Sequence, residues 1–459
     1  MSDRAATVCS ALVFDRCARR GGCAHCESGA VLGASSMKLR SLATGAASFA
    51  SSEVMAIRRY PRIAVVVPSL SEQGGVAAVA DFIVSVIERS MLYEIKIISL
   101  ATSSCDESSV LLRYPRTWGK VCTSNGFWNG RPFIHIGALL SDFEFMRYRH
   151  RSALSEQLEN CDLIQLVCGN PAWALPLCGL GKPVVMSCAT LAKVERQRAL
   201  DVGATLQRYW RRGMAVVTDH LDRRALLNVD AIQTMNVWMS ELAKELNMGR
   251  NVLLKFAPPG IDTLAFHPQS QRPLDTTGYI LCVGRLSDPR KNITMLLDAY
   301  ARLVKSISLP PQLLLVGSSG PNAVFWEKVH SFGLQDRITF RANPGKADLI
   351  KIYQGAACFA LPSSEEGFGM VLIEAMACGV PVVATRCGGP DGIVTDGEDG
   401  FLISTDDAEA MADRLYRLLT DSNLNKNMGQ FARSTIERRF SQSVTAKSFL
   451  EVYSMLLSK

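Results

Sequence analysis

The chain has 459 residues, with 50 Lys and Arg against 43 Asp and Glu, a formal net charge of +7 and a hydrophobic fraction of 48%. That length exceeds one typical domain and implies two or three, and the composition is that of a globular protein, not a fibrous or disordered one. No run of eighteen apolar residues is present, which excludes a transmembrane helix.

Residues 1–60 are rich in Ala, Ser, Gly and Arg and have no sustained periodicity. Asp15, Arg16, Arg19 and Arg20 interrupt the apolar stretch before them, which argues against a secretory signal. Cys23 and Cys26 flank His25 in one Cys-x-x-Cys pair, which leaves a zinc site open, although the irregular spacing of Cys9 and Cys17 makes it weak evidence for one. The segment reads as a disordered extension, or as a start assigned too early with Met37 or Met55 as the true one. The 14 Cys are scattered through apolar segments, among them Cys161, Cys168, Cys282 and Cys358. They read as reduced, buried thiols of a cytoplasmic protein.

The folded part begins with Arg62 to Pro68, a buried strand. A polar loop ending in Gly74 and Gly75 leads into a helix with Val76, Val79, Ala80, Ile83 and Val84 on its apolar stripe. Ile95–Leu100, Asp162–Val167 and Pro183–Ser187 read as further parallel strands. Ala231–Thr234 and a helix over Val237–Leu246 continue the βα alternation of an α/β domain. Pro258, Pro259, Gly260 and Pro268 punctuate a hinge over 258–268. These signals divide the chain into an extension (1–60), a first domain (61–257), the hinge, a second domain (269–440) and a terminal helix (441–459).

The basic excess lies in the first half. One cluster runs from Arg113 to Arg151, a second from Lys182 to Arg224 with Arg208, Arg211, Arg212, Arg223 and Arg224. Each reads either as a solvated face or as a surface drawn to an anionic membrane or an acidic acceptor. No recognition motif for nucleic acid accompanies the charge.

In the second domain, the strand from Tyr279 ends at Gly284. Arg285, Arg290 and Lys291 then crowd the loop before a helix at Ile293–Val304. Cations at a helix N-terminus oppose the helix dipole, a conflict that an anion between them would resolve. Arg290 also reads as part of a solvated basic loop. Gln312–Val316 and Ile338–Phe340 are further strands. Ala357–Leu361 is a buried strand, Gly367-Phe368-Gly369 a turn, Met370–Cys378 a helix stopped by Gly379 and Pro381, and Val382–Ala384 the next strand. That helix is apolar on every side except at Glu374, and a buried carboxylate needs a partner. The partner could be a ligand bearing hydroxyls or a distant Arg. Glu366 lies just ahead of the helix, where it could serve as a cap or face a ligand. Helices over Ala408–Leu419 and Ser443–Leu457 close the chain.

Glu366, seven residues and Glu374, with Gly-Phe-Gly after the first Glu, resemble the signature of the retaining glycosyltransferases of family 4, also called group 1 glycosyltransferases. The resemblance covers roughly 61–459, strongly in the second half and in architecture in the first. It implies the GT-B fold: two Rossmann-like β/α/β domains facing across a cleft, with the C-terminal helix returning to the first domain. It further implies a hexose donor linked to UDP or GDP, no resident cofactor or metal, and a glycan or lipid-linked acceptor in cell-surface polysaccharide or lipopolysaccharide synthesis. The family places an Arg and a Lys on the diphosphate, matched here by Arg285 and Lys291. Its first glutamate, Glu366 here, faces the transferred sugar, and its second, Glu374, holds the ribose. Gly74, Gly75, Gly367, Phe368, Gly369, Met370 and Val371 complete the donor site so implied. The loop near Ala342-Asn343-Pro344 is where relatives hold the base.

The chain departs from the family at one place. Relatives carry a His after the strand that ends at Ser187, whereas this chain reads Ser187-Cys188-Ala189-Thr190, and His220 is too distant in sequence to stand in. The sequence has no Asp-x-Asp to hold a divalent cation on a diphosphate, no Gly-x4-Gly-Lys-Ser/Thr loop, and no Gly-x-Gly-x-x-Gly after its first strand. A metal-independent transferase is therefore expected. A binding subunit that needs a partner and a sugar-nucleotide epimerase on the same fold remain as alternatives. The expected location is cytoplasmic, with peripheral attachment to the inner membrane face.

Overall fold

Two parallel sheets, each with helices on both faces, make up the described part of the chain. The computed structural model describes residues 60–70, 74–196, 205–269 and 278–458. The expected extension lies outside them except for Tyr60. The first sheet contains β1 (Arg62–Pro68), β2 (Glu94–Leu100), β3 (Thr123–Trp128), β4 (Arg131–Ile136), β5 (Leu163–Cys168), β6 (Val184–Cys188), β7 (Ala231–Thr234) and β8 (Leu253–Phe256). Its order is β3-β4-β2-β1-β5-β6-β7-β8, parallel except for the antiparallel pair β3–β4. The second contains β9 (Tyr279–Val283), β10 (Leu313–Gly317), β11 (Ile338–Ala342), β12 (Ala356–Leu361), β13 (Val382–Thr385) and β14 (Phe401–Ile403). It is parallel throughout in the order β11-β10-β9-β12-β13-β14.

The helices of the first half are α1 (Gly75–Ser90), α2 (Ser152–Leu158), α3 (Ala192–Arg196), α4 (Thr205–Leu226) and α5 (Val237–Leu246). Those of the second are α6 (Ile293–Ser306), α7 (Ala323–Ser331), α8 (Lys346–Gly355), α9 (Met370–Ala377), α10 (Ala408–Thr420), α11 (Ser422–Thr435) and α12 (Gln442–Leu457). The α/β class and the two Rossmann-like halves agree with the sequence expectation.

Strands covered on both faces are apolar at every position, because neither side of the pleat meets water. In β1, Ile63, Val65 and Val67 join a core shared with α1, while Ala64 and Val66 join the core on the opposite face. The shared core also takes in Leu281, Phe368, Leu372, Phe449 and Tyr453, so one apolar layer runs through both halves. The chain crosses back at α12. Phe449 meets Phe82 edge to face, and the Tyr453 hydroxyl donates to Gln165 Oε1 on β5 at 2.8 Å. Lys255 pairs with Glu451, and Arg89 donates to Gln442 at 2.6 Å.

The first basic cluster is an exposed face only in part: Arg116, Lys120 and Arg149 are exposed, whereas other members are engaged within the fold. Arg151 is buried and donates to the carbonyl oxygens of Gly137 and Arg147. Arg131 is held by Asp81 and Glu88, and Arg113 by Asp142. These guanidiniums close loops and strand edges. In α4 the buried Asp222 accepts from Asn170 Nδ2 and from the amides of Ala172 and Ala192, which fixes the start of α3.

Open α/β sheets bind ligands at the carboxyl ends of their strands, where the strand order reverses. Here the reversals fall between β1 and β5 and between β9 and β12. The two sets of strand ends face each other across a cleft.

Candidate functional site

A cavity of about 320 Å³ fills that cleft. Each residue singled out from the sequence lines it: Gly74, Gly75, Arg285, Lys291, Glu366, Gly367, Phe368, Gly369, Met370, Val371 and Glu374. Of the loop expected to meet the base, Pro344 lines it; Asn343 has φ 43° and donates to the Gly317 carbonyl at 3.0 Å.

Gly369 begins α9 with φ 105°, a conformation that side chains other than hydrogen rarely adopt. Phe368 before it is buried against Phe440, edge to face at 5.9 Å, which anchors the turn. Glu366 does not cap α9, whose N-terminus has no side-chain cap. The Glu366 backbone is instead pinned to the segment after β13: its amide donates to Cys387 O at 3.2 Å, and its carbonyl accepts from Gly389 at 2.8 Å. Its carboxylate accepts from Lys291 Nζ and, at 2.9 Å, from Ser363 Oγ.

Among the described residues, neither a distant Arg nor another cation lies within hydrogen-bond reach of Glu374. Its partner is the Tyr353 hydroxyl on α8, at 2.7 Å. Tyr353 is buried between Phe266 and Phe359. Burial pushes the Glu374 carboxyl up to about 7, although the Tyr353 hydrogen bond opposes the rise. The neutral form therefore persists to higher pH than in an exposed carboxyl.

Arg285 is half-exposed and forms one long ion pair with Asp288, at 3.6 Å. Arg290 corrects the expectation of a solvated basic loop. Its guanidinium is only 17% exposed and meets Asp288, Glu365 and Glu195 at 2.7, 2.9 and 2.9 Å. Burial disfavours its charge, but the Asp288 hydrogen bond and the other two carboxylates outweigh that and raise its pKa.

Several contacts cross from one domain to the other. Glu195 belongs to α3 of the first. Thr190 Oγ1, also of the first, donates to Glu365 at 3.2 Å. Asn236 caps α5 through the Met239 amide at 2.9 Å, and its Nδ2 donates both to Ala189 O and to Gly367 O. Sequence reasoning missed these partners. Asn236 is legible as a helix cap, but nothing in the sequence reveals its second role across the cleft. Glu365 was screened by its neighbour Glu366, and Tyr353 carries no signal beyond an apolar helix position.

The expected His position after β6 is occupied by Ala189 and Thr190, both in the cavity wall. His220 lies exposed on α4 and outside that wall. The cavity thus offers the cations of Arg285 and Lys291, the amino-terminal ends of α1 and α9, and the carboxyl groups of Glu366 and Glu374 on either side of the Gly367–Gly369 turn, with the paired Arg290, Glu195 and Glu365 also in its wall. Such a set can hold a diphosphate and accept hydrogen bonds from hydroxyls.

The sequence pattern described as glycosyl transferases group 1 matches residues 265–435. A D-inositol 3-phosphate glycosyltransferase of Actinosynnema mirum is 30% identical over 289 residues, which cover 60% of this chain and 67% of that protein. Its counterpart in Saccharomonospora viridis is 31% identical over 290 residues, or 60% of this chain and 64% of that protein. Sucrose-phosphate synthase from Thermosynechococcus elongatus superposes over 87% of this chain and 99% of its own, with TM-score 0.63 and 21% identity. An Anabaena protein in complex with UDP-glucose superposes over 86% and 100%, with TM-score 0.60 and 17% identity. The fold is that of the GT-B glycosyltransferases. The chain belongs to the group 1 glycosyltransferases. It spans about half to two thirds of the length of the curated relatives it matches.

Proposed function

We propose that this protein is a retaining glycosyltransferase of the family 4 kind. It moves a hexose from a UDP- or GDP-sugar to a glycan or lipid-linked acceptor, in cell-surface polysaccharide or lipopolysaccharide synthesis. The observation that carries the reading is the Lys291–Glu366 pair, set beside Arg285 and Glu374 in one cavity at the strand ends. In this mechanism Arg285 and Lys291 bind the diphosphate and stabilise the charge that develops on it as the sugar–phosphate bond breaks. Glu366 passes from Lys291 to the hydroxyls of the transferred sugar, and Glu374 holds the ribose. The acceptor oxygen bonds to the anomeric carbon on the face the phosphate leaves, and its proton goes to the departing phosphate oxygen. That path needs no imidazole at Ala189, and the two cations take the part a metal ion plays elsewhere.

The absent imidazole also favours a second reading, a sugar-nucleotide-binding subunit. Titration with UDP- and GDP-sugars should show binding under either reading. Adding acceptor should release UDP or GDP only from a transferase. Binding with no release across a panel of glycan and lipid-linked acceptors would favour the subunit.

The location proposed is the inner membrane face, reached from the cytoplasm. No described helix is long and apolar enough to cross a membrane. The first half of α4 instead presents Tyr209 and Trp210, both exposed, beside Arg208, Arg211 and Arg212. Aromatic and basic side chains together suit an anionic lipid surface. Sedimentation with anionic vesicles at low salt should fall when the three arginines are replaced by Glu, and equal sedimentation with neutral vesicles would refute the idea.

A further inference from the structure

Arg290 stands next to Lys291 in sequence, and Glu365 next to Glu366. The two residues of the proposed donor site thus each have a charged neighbour, and those neighbours, which line the same cavity, reach toward the other domain. Arg290 meets Glu195 at 2.9 Å, and Glu365 accepts from Thr190 at 3.2 Å. Arg290 also meets Glu365 itself at 2.9 Å, and its backbone carbonyl accepts from the Ser364 amide at 2.8 Å. One guanidinium therefore ties together the loop after β9, the loop after β12 and the first domain.

These contacts are poorly screened. The side chains of Arg290 and Glu365 are 17% and 15% exposed, and partly buried charges feel salt less than surface ones do. Glu195 is also held in place, because the Ala192 amide at the start of α3 donates to the buried Asp222 at 2.8 Å. The segment 189–195 is where the family resemblance calls for a His toward the sugar. Here it reaches across the cleft instead.

We propose that Glu195 and Arg290 are positioning residues: their ion pair, with Thr190–Glu365 beside it, latches the first domain over the donor site. The latch sits one residue from each of Lys291 and Glu366, so closing the cleft sets both groups in place. The idea that this setting serves sugar transfer rests on the function proposed above, whereas the latch itself is testable without it.

The test compares wild type with Glu195→Gln, which keeps the shape and removes the charge, and with Thr190→Val. Small-angle scattering of the unliganded proteins reads the latch directly. Each variant should have a larger maximum dimension than wild type. Superimposable scattering from wild type and Glu195→Gln would overturn the proposal. Titration with UDP then separates positioning from direct binding. The UDP dissociation constant of Glu195→Gln should stay within about twofold of wild type, while turnover falls roughly tenfold, because only the closed state reacts. A variant that loses UDP affinity tenfold and keeps its turnover would place Glu195 on the nucleotide and likewise sink the latch. If wild type binds no sugar nucleotide while the scattering difference holds, the functional reading fails and the latch stands.

Discussion

Two glutamates one helical turn and a loop apart should respond differently to the same substitution. Glu374 hydrogen-bonds Tyr353 from a fixed helix, and the ribose contact proposed for it persists from bound donor to transition state, so it is largely uniform binding. Glu374→Gln should mainly raise KM for the donor and weaken the binding of free UDP or GDP. Glu366 sits against Lys291 and Ser363, where charge would develop as the sugar bond breaks. Glu366→Gln should mainly lower kcat and leave nucleotide binding nearly intact, and the reverse result would mean the roles are exchanged. Glu374 also predicts a pH dependence. Burial raises its carboxyl from 4.5 to about 7, so the folded chain favours the neutral form. That contribution to stability is fully present below about pH 4.5, is lost as pH rises toward 7, and is constant above. Ribose hydroxyls donate to the ionised form, so UDP-glucose affinity should rise between pH 6 and 8 and binding near pH 7 should release protons. Titrations in buffers of different ionisation enthalpy measure that release, and Glu374→Gln should abolish it. At the cations, Arg285→Ala and Lys291→Ala should each cost roughly 10²–10³-fold in rate, the scale of one lost electrostatic donor. EDTA should leave turnover unchanged, and activity lost in EDTA but restored by magnesium or manganese would show that an ion does this work.

The turn before α9 shows how one element couples the two domains. A Cβ on Gly367 would come within 2.7 Å of Ala189 Cβ in the first domain, with the Ala189 carbonyl oxygen at 3.3 Å. Neither neighbour can rotate away. The Gly367→Ala strain therefore falls on the closed arrangement, at about 1–3 kcal/mol for overpacking, which is roughly 5- to 150-fold in its population. Turnover should fall by that factor while the UDP affinity and thermal midpoint change little. A loss of thermal stability with turnover intact would place the strain inside the second domain. The same turn was legible in the sequence because its glycines, its buried strand and its all-apolar helix each have a local cause. So were β1, β7, α5 and α9, where periodicity and stop signals agree with the tertiary environment. The hairpin β3–β4 was missed even though Asn129-Gly130 is a strong turn pair, with φ 50° and 78° in the structure. Its strands are half-exposed and short of β-branched residues, so the flanking pattern was weak. Helix α4 was read only as charge, because the described side chains 208–213 of its first half are exposed. The Arg113–Arg151 cluster was legible only in part, because Arg116, Lys120 and Arg149 are exposed but other members are not. Composition does not show that Arg151 is buried against carbonyl oxygens or that Arg131 is flanked by two acids.

At the scale of the whole molecule, α12 decides whether the two domains unfold together. It follows the second domain in sequence but supplies Phe449, Val452 and Tyr453 to the core shared with α1 and β5. Phe449 is fully buried against Phe82, and Tyr453 satisfies Gln165, itself buried in β5. A helix grafted onto the other domain in this way makes the stability of each depend on the other, so heating should give one cooperative transition across residues 60–458. Phe449→Ala removes a large buried ring and should cost about 3–5 kcal/mol. Tyr453→Phe leaves the packing but strands Gln165 Oε1, at about 1–3 kcal/mol. Both losses fall where α12 meets the first domain. Phe449→Ala should therefore lower the midpoint and split the calorimetric transition in two. UDP supplies the assignment. Its expected contacts are mainly on the second domain, so it should raise the midpoint of one transition in the variant much more than that of the other. In wild type it should raise the single transition as a whole. A single, uniformly lowered transition in Phe449→Ala, shifted intact by UDP, would show that contacts other than α12 couple the domains. The cleft contacts of Arg290 and Asn236 would then be the next to remove.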